Sequence, residues 1–103
     1  MLGEILARQA EVREAAAKHR VRSLALFGSA AGGTFQAGQS DLDFLVEFQP
    51  MPVREYADHY FGLMEDLERI FQAPIDLVES PPLKNPYFRQ SVEQTKRVLY
   101  EAA

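Results

Sequence analysis

Residues 41 to 48, DLDFLVEF, alternate without a break. Leu42, Phe44, Val46 and Phe48 fall on one side. Asp41, Asp43, Leu45 and Glu47 fall on the other. A period of two is the pattern of a β-strand with one face on a core. Turn residues precede it at Gly38 and Ser40, and Pro50 and Pro52 end it. Such a strand cannot stand alone. It needs partner strands and an apolar layer over its Leu, Phe and Val face, which excludes a purely helical bundle.

The rest of the chain supplies both. Residues 2 to 19 read as one amphipathic helix, with Leu2, Ile5, Leu6, Gln9 and Val12 at helical spacing among Ala, Glu, Arg and Lys. Residues 22 to 28, RSLALFG, read as a short strand ending at Gly28. Ser29 to Ser40 is a small-residue segment that starts as a helical turn and ends as a loop. A helix is expected from about Val53 to Gln72, with Tyr56, Tyr60, Leu63, Leu67 and Ile70 along its apolar stripe. Residues 74 to 79, PIDLVE, form a third strand, with Ile75 and Leu77 opposite Asp76 and Val78. After Pro81 and Pro82, Asn85-Pro86 reads as a cap and first turn of a last helix carrying Phe88, Val92 and Leu99. This order describes a small α/β domain with helices packed on a short sheet, and residues 1–103 are taken as one domain.

Composition excludes several classes. The 103 residues hold no cysteine, so there is no disulfide scaffold, thiolate zinc site or cysteine nucleophile. No run approaches the 18 apolar residues of a membrane span, and no apolar run follows a basic start, so a cytoplasmic protein without a membrane partner is expected. The net charge of −4 argues against a dedicated nucleic-acid binder. That charge is uneven. Residues 41 to 80 carry ten acids against only Arg54 and Arg69, while the segments on either side are net basic. Most of these acids fit solvated faces; position must show which converge on a cation.

Asp41 and Asp43 leave the same face of their strand, with Cβ atoms about 6 to 7 Å apart. Two carboxylates so close repel unless a positive charge lies between them. Mg²⁺ takes oxygen ligands and commonly binds one or two carboxylates plus substrate phosphates. Asp76, on another strand, could join them, and three convergent carboxylates suit a two-metal phosphoryl or nucleotidyl transfer site. Taken alone, the Asp-x-Asp pair also fits ordinary turn chemistry after Ser40. Gly28-Ser29 adds a second signal. A strand delivers a glycine, which permits close backbone approach, and a serine at a helical start, where N–H groups and a hydroxyl can hold phosphate. An isolated Gly-Ser also fits a plain turn with a serine cap. His19 and His59 read as surface residues apart from this motif and from each other. Tyr56, Tyr60 and Phe61 read as core, with partner docking as the alternative. Tyr87, Arg89 and Tyr100 read as packing and capping residues.

LFGS, eleven residues and then DLD, with IDLVE further on, resembles the DNA polymerase β-like nucleotidyltransferase superfamily. With the closing KNPYFR and VLYEA, the chain looks like a minimal nucleotidyltransferase of the MntA-type antitoxin class, encoded beside HEPN-domain toxins. The resemblance implies a short mixed sheet flanked by helices. It implies that Asp41, Asp43 and Asp76 form the catalytic and Mg²⁺-binding set, with Asp76 completing the metal site or acting as base. It implies that Gly28 and Ser29 grip the triphosphate of ATP. It implies transfer of AMP to a tyrosine of a partner HEPN ribonuclease toxin. Two departures stand out: the arginines many relatives carry just after Gly-Ser are Ala30 and Gly32 here, and the spacer is one residue longer. These departures motivate a second reading, an antitoxin that neutralises its toxin by binding alone. A small-molecule acceptor is a third, weakened by the little room so short a chain leaves for a substrate pocket.

Overall fold

A computed structural model of the chain describes residues 2–27, 42–79 and 97–102. In chain order these form α1 (Leu2–Ala7), α2 (Gln9–Lys18), β1 (Val21–Phe27), β2 (Leu42–Phe48), α3 (Val53–Phe71), β3 (Ile75–Glu79) and β4 (Arg97–Glu101). The strands lie side by side in the order β3-β2-β1-β4. β1 is antiparallel to both β2 and β4, whereas β2 and β3 are parallel, so the sheet is mixed as expected. Parallel neighbours need a crossover, and α3 provides it. Among the described residues, no helix is long and apolar enough to cross a membrane.

The alternation at β2 translates directly into burial. Leu42, Phe44 and Val46 are buried in the main core, together with Leu24 and Leu26 of β1 and Leu77 of β3. Ile5, Val12, Ala15 and Ala16 of α1 and α2, with Leu63, Leu67 and Ile70 of α3, cover that face. The opposite face is not simply polar. Leu45 is buried there with Ala25 and Phe27, and Val78 packs against them. β2 and β1 are therefore apolar on both faces, as the inner strands of a sheet tend to be.

Three sequence expectations change. The first helix parts at Arg8, whose N–H bonds the Ile5 carbonyl in a tighter turn, and Gln9 beyond it donates its side chain to the Leu99 carbonyl at 3.1 Å. The chain end that holds Leu99 is a strand, not the end of a helix. β1 has a second edge away from β2, and unpaired N–H and C=O groups there would be costly; β4 satisfies them, and Ala102 extends the pairing to the Arg22 carbonyl. The Asn85-Pro86 cap and the small-residue segment after Ser29 lie outside the described residues.

The third change concerns the histidines, which are neither apart nor both on the surface. His19 is only 8% exposed, its Nε2 lies 2.8 Å from Asp66 Oδ2, and its Nδ1 lies 3.5 Å from Nδ1 of His59. Both ring nitrogens of His19 thus face a polar partner, Nε2 the Asp66 carboxylate and Nδ1 the His59 ring. Forty residues of chain separate the pair, so no local pattern could reveal it. Gly62 makes room for the ring: a Cβ there would sit 2.5 Å from His19 Cε1. Alanine is ordinarily the better helix former by about 1 kcal/mol. Here the ring is held at both nitrogens, so the overlap prevails, and Gly62→Ala should lower stability by roughly 1–2 kcal/mol in urea unfolding. In a His19→Ala background the same substitution should become neutral or stabilising, because the overlap is gone.

Asp66 also faces Lys18 and Arg69 at 3.5 and 3.4 Å. Burial pushes its carboxyl up, but the bonds from His19 and Arg69 and the charge of Lys18 outweigh it and hold the group below its ordinary value. A carboxyl depressed in the folded state contributes stability above its unfolded pKa and loses it as pH falls through the folded one. The urea midpoint should therefore drop on acidification below about pH 4. Asp66→Asn should flatten that part of the profile while lowering stability at neutral pH.

Candidate functional site

β2 and β3 pair in a register that sets Asp43 directly beside Asp76. Paired residues on parallel neighbours leave the sheet on the same face, with strands about 4.8 Å apart. That face is the one away from α2 and α3, since Leu42, Phe44 and Leu77, next in sequence to the two acids, are buried in the main core. Asp43 is half-buried and Asp76 exposed. Two acids that look unrelated in the sequence, 33 positions apart, thus form one carboxylate pair at one end of the sheet.

The same end receives β1. Phe27, its last residue, pairs with Asp43 on the other side. Gly28 and Ser29 follow Phe27 in the chain, and Asp41 precedes Leu42, so all three are continuous with this sheet end; they lie outside the described residues. Leu42 N–H bonds the Pro74 carbonyl at 3.0 Å, which ties the chain before β3 to the start of β2 and holds the register at the acid pair. Beside the pair, Phe27, Leu45, Ala25 and Val78 make an apolar floor. An acidic rim on such a floor suits hard cations and the phosphates they carry, because carboxylate oxygens are the preferred donors of Mg²⁺. Among the described residues no three metal-ligating side chains gather, and Asp43 with Asp76 is the part of the expected set that can be described.

A second feature escaped the sequence reading. Tyr60 of α3 donates its hydroxyl to the Leu77 carbonyl of β3 at 2.6 Å. Burial, and then the charges of Asp76 and Glu79, raise the pKa of that hydroxyl above its ordinary value. Tyr56 is pushed up further, by burial and by its hydrogen bond to the Glu79 carboxylate. Tyr56 and Tyr60 are half-buried rather than core, and Phe61 is 58% exposed. The helical spacing identified an aromatic stripe, but only the packing of α3 on β3 shows that it borders an acidic strand.

Likeness to known proteins bears on this arrangement. The family model of the nucleotidyltransferase domain matches residues 9–99. A Methanocaldococcus jannaschii protein named "putative protein adenylyltransferase" is 39% identical over 77 residues, 75% of this chain and 75% of its own length. A solved structure described as a "putative minimal nucleotidyltransferase" superposes with a TM-score of 0.66 at 28% identity, covering 93% of each chain. A chain from a crystal structure of a mutant MntA-HpeT toxin-antitoxin complex superposes with a TM-score of 0.67 at 18% identity, covering 91% of this chain and 73% of that one, a likeness of fold.

Proposed function

Because this chain belongs to the nucleotidyltransferase domain family and is a nucleotidyltransferase, we propose that it is a Mg²⁺-dependent protein adenylyltransferase of the antitoxin type. In this reading residues 1–103 are one nucleotidyltransferase domain. It moves AMP from ATP onto a tyrosine of a partner HEPN-domain ribonuclease toxin. The observation that carries the reading is the pairing of Asp43 with Asp76 at the sheet end where β1 runs toward Gly28 and Ser29. The relative named as a protein adenylyltransferase supports the protein acceptor, and the toxin-antitoxin fold neighbour supports the partner class.

Asp41, Asp43 and Asp76 would hold the metal, all with hard oxygen donors. When bound, Mg²⁺ supplies charge that stabilises the developing negative charge on phosphate oxygens. The chain's own residues do the rest. Gly28 lets the backbone approach the triphosphate, and Ser29 with neighbouring N–H groups orients it. Asp43 aligns the nucleotide against the apolar floor of Phe27 and Leu45. Asp76, the more exposed of the pair, faces the incoming acceptor and can accept its phenolic proton. The acceptor oxygen then bonds to the α-phosphorus as the bond to the pyrophosphate oxygen breaks. Positioning and charge stabilisation supply the catalysis, as in phosphoryl transfer generally.

The test is transfer itself. The purified protein, ATP, Mg²⁺ and the protein encoded beside it should give a mass increase of one or more AMP units on that protein. No increase under conditions where the two proteins bind would sink the reading. It would favour neutralisation by binding alone, which Ala30 and Gly32 motivate by standing where many relatives carry arginines. The two separate in cells: an Asp41→Asn, Asp43→Asn variant that still protects from the toxin indicates binding alone.

A further inference from the structure

Neither the acid pair nor the core uses the groove between α3 and the outer side of β3. It is an open depression of about 340 Å³ lined by Tyr56, Ala57, Tyr60, Phe61 and Glu79. Its walls are aromatic and differently oriented. The rings of Tyr56 and Tyr60 stack at 6.2 Å and 23°, while those of Tyr60 and Phe61 meet at 5.2 Å and 90°. Its remaining wall is anionic. The Glu79 carboxylate accepts from the Tyr56 hydroxyl, and the charges of Glu79 and Asp76 both act on Tyr60.

That combination selects its occupant by charge. An anion would be repelled by Glu79 and Asp76. A purely apolar group would bury the Glu79 carboxylate without a countercharge. A cation gains from both the ring faces and the carboxylate. Among cationic side chains, guanidinium is planar, stacks on aromatic rings and pairs with carboxylates in two-point contact, which ammonium does not. We propose that this groove holds an arginine side chain of the acceptor protein. The proposal rests on the protein-acceptor reading above and adds where that protein is gripped. Glu79 lies three residues along β3 from Asp76, roughly 10 Å at strand rise. β3 ends the strand order, so one protein surface can reach around it to offer a hydroxyl to the acid pair and an arginine to the groove.

The test uses the whole chain without nucleotide. A blocked Gly-Arg-Gly peptide and its citrulline analogue, equal in shape but uncharged, are titrated while the aromatic ring signals are followed by NMR. The arginine peptide should shift Tyr56, Tyr60 and Phe61 saturably, and more weakly as salt rises. Its apparent dissociation constant should increase about five-fold in Phe61→Ala and in Glu79→Gln, two substitutions at exposed positions that spare the core. Equal shifts by both peptides, or unchanged affinity in both variants, would overturn the proposal. AMP transfer to a protein with no arginine-specific binding overturns this proposal alone. Arginine-specific binding with no transfer to any protein overturns the acceptor reading alone.

Discussion

An Asp43→Asn variant should keep its fold and lose AMP transfer by about a thousand-fold, roughly 4 kcal/mol of transition-state stabilisation. The substitution keeps the size of the side chain and removes its charge. Asp43 is half-buried on the face away from the main core, so packing changes little. What changes is the carboxylate pair with Asp76. Two carboxylates in place of the proposed three hold a divalent cation less well, and the nucleotide then binds with less charge compensation. Two measurements check this together. Transfer of labelled AMP to the acceptor reports the chemistry. Thermal unfolding with and without Mg²⁺ and ATP reports binding, because a ligand held only by the folded chain raises its melting temperature. Wild type should be stabilised by the ligands, and Asp43→Asn should not. Circular dichroism should match wild type. Transfer surviving within ten-fold would remove Asp43 from the proposed metal-binding set. Asp41→Asn should behave in the same way.

Phe44→Ala, one position further, should do the reverse. Phe44 is fully buried, and its ring stacks on Phe71 at 5.8 Å and 26°. Truncation leaves a cavity between β2 and the end of α3 and should cost about 3–5 kcal/mol. Small domains commonly have only about 5–15 kcal/mol in total, so the variant should unfold at a much lower urea concentration with an unchanged slope. Whatever fraction remains folded should still transfer AMP at near wild-type rate per folded molecule, since the acid pair is untouched. A loss below 1 kcal/mol would mean that the core closes over the missing ring. The contrast between neighbouring positions follows from the strand's period of two: one side chain lies on the face of the acid pair and the next meets the core.

That contrast was legible in the sequence, because alternation is a property of a single strand. So were the long helix α3 with its stripe of Leu63, Leu67 and Ile70, and the third strand that turns Asp76 away from Leu77. The same local patterns failed at the chain end. RVLYE is short enough for helix and strand periods to fit it equally. It is a strand because β1 has an edge to be paired, a fact recorded elsewhere in the chain. The break at Arg8 and the joining of His19 to His59 were hidden for the same reason, since each depends on contacts with distant residues.

The sequence by itself determined which residues share a face: Asp43 opposite Phe44, Asp76 opposite Leu77, and the aromatic stripe along α3. Dihedral geometry enforces those relations over a few residues, so a linear pattern is enough to carry them. Tertiary structure alone decided which faces meet. The register of β2 on β3 brings Asp43 beside Asp76, and the packing of α3 on β3 brings Tyr56 beside Glu79. Register follows from the burial of whole faces and from backbone pairing between distant segments. A one-residue slip would leave every local pattern intact and separate the two carboxylates.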